Sequence, residues 1–221
     1  MNPISALANS TNLVGFGLTP EGQEGNEIMY SLLLDQAWSA TPINTDNYFH
    51  HWVSSRYNDG THSIPTELYT AWDILRTTVY NNTNLTSNAV VKSILELAPS
   101  TSGLLNRTGH HPTTIEYAYS SVVEAWSLFA NASTDSPNLW SNTAFLYDFV
   151  DISRQVLANA FIPNYQDLIT LYTSGNASTT EITAAGNRLT SLLQSLDSVL
   201  LTNHHFPVSY THLTLPTKRI V

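Results

Sequence analysis

"NLVGFGLTPEGQEGNEIMYSLLLDQAW", residues 12–38, decides how the chain is read. A short apolar run with two glycines, Val14 to Leu18, reads as a buried strand whose backbone packs closely against something else. A helix follows, because Tyr30, Leu33, Leu34, Ala37 and Trp38 fall at i, i+3, i+4, i+7 and i+8. Between them stands Thr19-Pro20-Glu21-Gly22. A helix start explains part of this: Thr19 as N-cap, Pro20 at N1, and an acid at N2 that complements the helix dipole by ~0.3–1 kcal/mol. It does not explain Gly15, Gly17, Gly22 and Gly25, since glycine in regular structure costs roughly 0.5–1 kcal/mol. Glycines bracketing an acid at the end of a strand point to close approach by another group. The C-terminal ends of parallel barrel strands are where such folds place their chemistry. A helix N-terminus keeps the Glu21 carboxylate ionised, as a nucleophile requires. A dinucleotide site is excluded: Pro20 takes the third glycine position, and Glu21 would face a pyrophosphate.

The rest of the chain is helical in pattern. Residues 47–57 form one segment, then Leu68, Ala71, Trp72, Leu75 and Val79 form another after Pro65. A shorter apolar run precedes Pro99, and 100–114 reads as loop. Val122, Ala125, Trp126 and Phe129 mark a helix; Phe145, Phe149, Ile152 and Val156 mark the next; Tyr165, Leu168, Ile169 and Tyr172 start a separate one that stops near Gly175. Ser178 with Glu181 is a capping box ahead of Ile182, Ala185, Leu189, Leu192, Leu196 and Leu200. The predicted class is therefore mainly α, with a single strand-helix unit at the start. One strand cannot satisfy its own backbone, so its sheet must come from elsewhere and the chain reads as a fragment. Residues 207–221 cap nothing and are read as a non-native or disordered tail.

With 221 residues, 42% of them hydrophobic, the chain can bury a sizeable core. Only 11% are charged, against roughly 25% in an average domain, and Ser, Thr and Asn take their place. A net charge of −9 offers nothing to a phosphate backbone or an anionic membrane, so neither nucleic acid nor membrane is an expected partner. There is no cysteine, hence no disulfide or thiolate site. Asn-x-Ser/Thr sequons stand at Asn9, Asn81, Asn84, Asn106, Asn131 and Asn176; this composition generates many by chance. The pairs His50–His51, His110–His111 and His204–His205 lack the spacing of a zinc site, and no metal or cofactor is expected. Trp38, Trp72 and Trp126 lie on apolar stripes and are expected in the core. Arg56, Asp148, Asp151 and Arg154 are expected as buried ion pairs joining helices to each other or to the absent sheet.

The Gly-x-Gly-x-x-Pro-Glu-Gly-x-x-x-Asn-Glu pattern at residues 15–27, followed in order by "WVSSRY", "AWDILRTTVYN", "VVEAW" and "AFLYDFVDISRQV", resembles the alpha-N-acetylglucosaminidase family, glycoside hydrolase family 89. The similarity runs from about Ala8 to Phe206. It implies the last part of a catalytic (β/α)8 barrel over residues 1–42 and an all-α domain over 43–206. It implies that Glu21 is the catalytic nucleophile of a retaining hydrolase. The substrate would be terminal alpha-linked N-acetylglucosamine on glycans such as heparan sulfate, and the compartment secreted, lysosomal or vacuolar. The acid/base partner and much of the sugar pocket would lie in the missing N-terminal barrel, leaving this chain inactive alone. Glu24, one helical turn from Glu21, is a weaker substitute for that partner, and Glu27 with Asn26 is expected to anchor the first helical turn. The family shows Arg-Pro where this chain has His110-His111-Pro112, and nothing is carried over there. Two other readings stay open: a self-standing helical binding or scaffold module, and a chain that docks with a separately encoded barrel half.

Overall fold

The computed structural model describes residues 10–12, 14, 15, 17, 27–81, 93–102, 104, 107 and 112–207. These residues are helical and contain no strand. In chain order they form α1 (Glu27–Gln36), α2 (Thr45–Arg56), α3 (Thr66–Ile74) running into a π-helical turn (Leu75–Val79), and a 3₁₀ turn (Ile94–Glu96). Then come α4 (Tyr119–Asp135), a 3₁₀ turn (Pro137–Ser141), α5 (Thr143–Ser174) and α6 (Thr179–Leu200). Helices α2 to α5 pack as sequential neighbours, and α6 folds back along α5.

The helix boundaries follow from their caps. The Asn44 side chain accepts from the Asn47 amide (3.0 Å) to start α2, and Asn142 accepts from Phe145 (2.9 Å) to start α5. Gly175 ends α5 at φ +70°, a backbone region that glycine occupies without penalty. The expected Ser178–Glu181 capping box is present in both directions, 3.3 Å from the Glu181 amide to Ser178 Oγ and 2.8 Å from the Ser178 amide to Glu181 Oε2. At the end of α3 the hydroxyls of Thr77 and Thr78 donate to the carbonyls of Asp73 and Ile74 (2.8 and 2.7 Å), and the Tyr80 amide reaches back to Leu75 (2.9 Å). This extra residue in the last turn is the π-helical distortion.

Two cores lie along α5. The larger gathers Phe49 and Val53 of α2, Leu68, Ala71 and Trp72 of α3, Val122, Ala125 and Phe129 of α4, and Phe145 and Ile152 from the first half of α5. Its centre is aromatic: Phe129 stacks with Phe145 and Phe149 at 5.8 and 6.4 Å and meets Tyr57 edge-on at 6.3 Å. The smaller joins Phe161 and Tyr165 of α5 to Leu189 of α6 and Ile94. There the Tyr165 hydroxyl donates to the Ser100 carbonyl, tying the loop before α4 to α5.

Three expectations are corrected here. Val14, Gly15 and Gly17 belong to no strand, and all three are exposed; the other residues of the expected strand lie outside the described residues. A strand is stable only against a backbone partner, and none is present among the described residues. The helices expected to meet between Val156 and Tyr165 are one 32-residue helix passing through Pro163. Proline removes one i→i−4 bond and normally costs about 3 kcal/mol there. Here the two halves of α5 are each committed to a core, and the Asn164 side chain donates to the Ala160 carbonyl (2.8 Å) next to the break. Finally, the packed face of α1 is Ile28, Met29 and Leu32, not the stripe ending at Trp38. Trp38 lies beyond the helix end, in a tight turn, and is 92% exposed.

Candidate functional site

Glu21 and Glu24 lie outside the described residues, as do His110 and His111. Of the motif, Gly15, Gly17 and Glu27 are described, and Glu27 stands six residues after Glu21 in the first turn of α1. Its carboxylate is paired to Arg56 Nη1 at 2.7 Å. Glu27 therefore does more than anchor its own helix: it ties α1 to the last turn of α2.

Arg56 continues the connection inward. Its Nε donates to Asp148 Oδ2 at 2.6 Å and its Nη2 to Oδ1 at 2.8 Å, a fork-to-fork pair between α2 and α5. The Tyr57 hydroxyl donates to the same Oδ2 at 2.7 Å, and Trp72 Nε1 donates to the Tyr57 hydroxyl at 2.8 Å. The guanidinium also lies 5.1 Å from the ring centroid of Trp52, an arrangement favourable for a cation over an aromatic face. Burial pushes the Asp148 carboxyl above its ordinary value, against the opposing pull of Arg56 and Tyr57. Burial lowers the Arg56 guanidinium, but the hydrogen bonds and charge of Asp148, with Glu27 behind them, leave it raised and firmly cationic. Tyr57 is pushed well above its ordinary value by burial and then by Asp148, so it remains a protonated donor.

One helical turn along α5, Asp151 accepts from its neighbour Arg154 at 2.8 and 2.9 Å. This pair is local to α5, whereas the Arg56 pair joins three helices. A cavity of about 240 Å³ beside it is lined by Trp72, Tyr80, Tyr117 and Phe129 together with Asp151 and Gln155. The expected inter-helix pair forms at Arg56–Asp148, whereas Asp151 and Arg154 pair with each other within α5 and join no helices; the tyrosine–tryptophan relay behind Arg56–Asp148 was not anticipated. Tyr57 follows the last residue of α2 and carries no local signature of its partner on α5.

The tryptophans divide. Trp72 is buried, and Trp126 is half-buried with its Nε1 donating to Ser153 (2.8 Å). Trp38 and Trp140 are exposed. His50 stacks on Tyr69 at 4.4 Å, and His204 packs against His205 at 4.0 Å. Among the described residues no three acidic, histidine or cysteine side chains gather as a metal site, and no helix is long and apolar enough to cross a membrane. The described cluster is saturated: both Asp148 oxygens accept from donors, and the guanidinium is shared between two carboxylates. Its chemistry is to hold the start of α1 against the helical core.

A family model for the alpha-N-acetylglucosaminidase (NAGLU) C-terminal domain matches residues 48–210. The chain belongs to the alpha-N-acetylglucosaminidase family. The model for that family's tim-barrel domain matches residues 1–40, placing the Glu21 motif in the barrel part of the family and the Arg56–Asp148 pair in the C-terminal part. Human alpha-N-acetylglucosaminidase is 32% identical over 202 residues, covering 90% of this chain and 24% of that protein. A family 89 glycoside hydrolase from Clostridium perfringens, solved with 2-acetamido-1,2-dideoxynojirmycin, is 30% identical with a TM-score of 0.80, covering 92% of this chain and 22% of its own. The same enzyme family is represented by a Clostridium perfringens variant with two Glu→Gln substitutions in complex with its substrate GlcNAc-alpha-1,4-galactose. That variant is 29% identical with a TM-score of 0.77, covering 89% of this chain and 21% of its own. The chain thus spans about a fifth to a quarter of the length of these relatives.

Proposed function

We propose that this chain is the C-terminal part of a retaining hydrolase that removes terminal alpha-linked N-acetylglucosamine from glycans such as heparan sulfate, with Glu21 as nucleophile. Residues 1–42 form the end of its barrel and 43–206 its helical domain. The observation that carries the reading is the Glu27–Arg56 pair at 2.7 Å. It fastens the motif's last residue, six positions after Glu21, to a buried, bidentate anchor on α5. Sequence similarity to the human enzyme and the barrel-model match over 1–40 support the same assignment.

In this reaction Glu21 attacks the anomeric carbon from the face opposite the leaving oxygen and forms a glycosyl-enzyme. A second carboxyl, ~5–5.5 Å away in a retaining enzyme, protonates the leaving group and then activates water. An alpha-linked 2-acetamido sugar carries its acetamido group on the same face as the leaving group. That group cannot attack from behind, so the enzyme must supply the nucleophile. The Clostridium perfringens complex with its substrate was obtained with two glutamates replaced, which agrees with a two-carboxyl mechanism. The second carboxyl is assigned to the N-terminal barrel portion, so residues 1–206 alone are inactive. The complete protein is assigned to a secreted, lysosomal or vacuolar route.

The test is hydrolysis of an aryl alpha-N-acetylglucosaminide. The complete polypeptide turns it over, Glu21→Gln lowers kcat by about a thousandfold or more, and residues 1–206 show none. Turnover by residues 1–206 that survives Glu21→Gln would overturn both the nucleophile and the division of the site.

A further inference from the structure

We propose that Asn176 carries an N-linked glycan, and that the turn joining α5 to α6 is a glycan-bearing end of the molecule. The proposal rests on the secretory route assigned above.

Two sequons are described in full, Asn131-Ala132-Ser133 and Asn176-Ala177-Ser178. They sit in contrasting surroundings. Asn131 is exposed but lies inside α4, and the residues that follow it are core: Ala132 is fully buried and Ser133 is 5% exposed. Asn176 follows Gly175, whose left-handed backbone turns the chain out of α5. It is exposed along with Ser174, Gly175 and Ser178, and its side chain makes no hydrogen bond among the described residues. An acceptor asparagine must present its amide in a bent, accessible segment, and the folded protein must then leave the sugar in water. Only the Asn176 turn meets both conditions in full among these two.

Location adds a second argument. Asp148, which anchors Arg56 and through it Glu27, lies near the start of α5. Ser174, at the other end, is roughly 39 Å away along the helix axis at 1.5 Å per residue. A glycan at Asn176 therefore projects from the end remote from the junction with the barrel segment. It leaves the Glu27–Arg56 contact uncovered. The scarcity of charge, 11% of residues, leaves the surface to Ser, Thr and Asn, and a glycan adds hydration where charge is sparse.

The modification is a group transfer from a lipid-diphosphate-linked oligosaccharide. The Asn176 amide nitrogen bonds to the anomeric carbon, the carbon–oxygen bond to the diphosphate breaks, the amide loses one proton, and the lipid diphosphate leaves. No oxidant or reductant takes part.

The experiment secretes the full 221-residue chain from a eukaryotic host behind a cleavable signal. Glycans are then released enzymatically in heavy-oxygen water. Trypsin yields the peptide from Gln155 to Arg188, in which Asn176 is the sole sequon asparagine. The expected result is heavy-oxygen aspartate at position 176 and loss of one step of gel mobility shift in Asn176→Gln, while Ser178→Thr retains the glycan. An unmodified Gln155–Arg188 peptide from secreted protein overturns the proposal. The readout involves no turnover, so a failed hydrolase assay bears on Glu21 and leaves this site standing.

Discussion

Arg56 and Asp148, 92 residues apart in sequence, form a bidentate pair at 2.6 and 2.8 Å with 15% and 11% of their side chains exposed. Such a pair contributes little relative to apolar residues of the same shape, but removing one member leaves a buried charge without its partner. Arg56→Ala is expected to cost about 3–5 kcal/mol of folding stability. The double replacement Arg56→Met with Asp148→Leu is expected to recover a substantial part. Chemical denaturation of residues 27–206 measures these and Asp148→Leu alone, and a double-variant loss equal to the sum of the two single-variant losses would show that the pair is not coupled.

Glu27 is a different case, because its carboxylate is 52% exposed. Exposed pairs contribute ~0–1 kcal/mol, so Glu27→Gln is expected to change stability by less than that. If Glu21 is the nucleophile, as proposed, the same change in the complete polypeptide should lower kcat more than it raises KM, since Glu27 holds the start of α1 six residues after Glu21. A change confined to KM would place Glu27 in ground-state binding instead.

The aromatic centre supplies a graded comparison. Phe129 is 1% exposed and contacts Tyr57, Trp72, Phe145 and Phe149, whereas Trp140, packed edge-on against Phe145 and Phe149, is 50% exposed. Phe129→Ala should cost about 3–5 kcal/mol through lost burial and an unfilled cavity. Trp140→Ala should cost clearly less. Thermal melts of the two variants at one protein concentration check the order.

Two exposed carboxylates are expected to contribute to the acid limb of stability. The backbone amides of His62 and Thr61, then the His62 ring, hold the Asp59 carboxyl below its ordinary value. The Ser178 amide and hydroxyl do the same for Glu181. A depressed carboxyl contributes stability that is present above its unfolded pKa and is lost as pH falls through the lower folded value. Asp148 runs the other way: burial raises it, so its contribution is present below its unfolded pKa and fades as pH rises through the folded one. Asp59→Asn and Glu181→Gln should therefore flatten the fall in melting temperature between about pH 5 and about pH 2, each with a lower value at neutral pH. An unchanged acid slope in both would show that these turns do not report on folding.

Trp38 tests whether the proposed barrel portion covers the end of α1. At 92% exposure, Trp38→Ser should leave the folding stability of residues 27–206 unchanged within about 0.5 kcal/mol. In the complete polypeptide the same change should be destabilising by more than about 1 kcal/mol if the barrel buries the ring. Equal effects in the two proteins would mean that the ring faces solvent throughout.

The local pattern carried much of the fold. Val122, Ala125 and Phe129 announced the buried stripe of α4, and Ser178 with Glu181 announced the start of α6, because both signals act within one or two helical turns. Pro163 misled for the same reason: its local cost is real, yet Phe161 and Tyr165 on one side and Ile152 on the other are held by cores that keep α5 continuous. Trp38 misled because periodicity names an apolar stripe without saying which partner covers it. As for the candidate site, residue type marked Arg56, Asp148, Asp151 and Arg154 as ion-pairing groups, but not which acid meets which base.

What the amino-acid order determined by itself is the helical character, the stop of α5 at Gly175 and the capping box that starts α6, since each depends on neighbours a few residues away. Tertiary structure alone decided that Arg56 joins Glu27 to Asp148, that Tyr57 and Trp72 stand behind that pair, and that Trp38 is left uncovered. Those outcomes depend on which surfaces meet across 92 residues of chain, and no periodicity within a single helix encodes the identity of a distant partner.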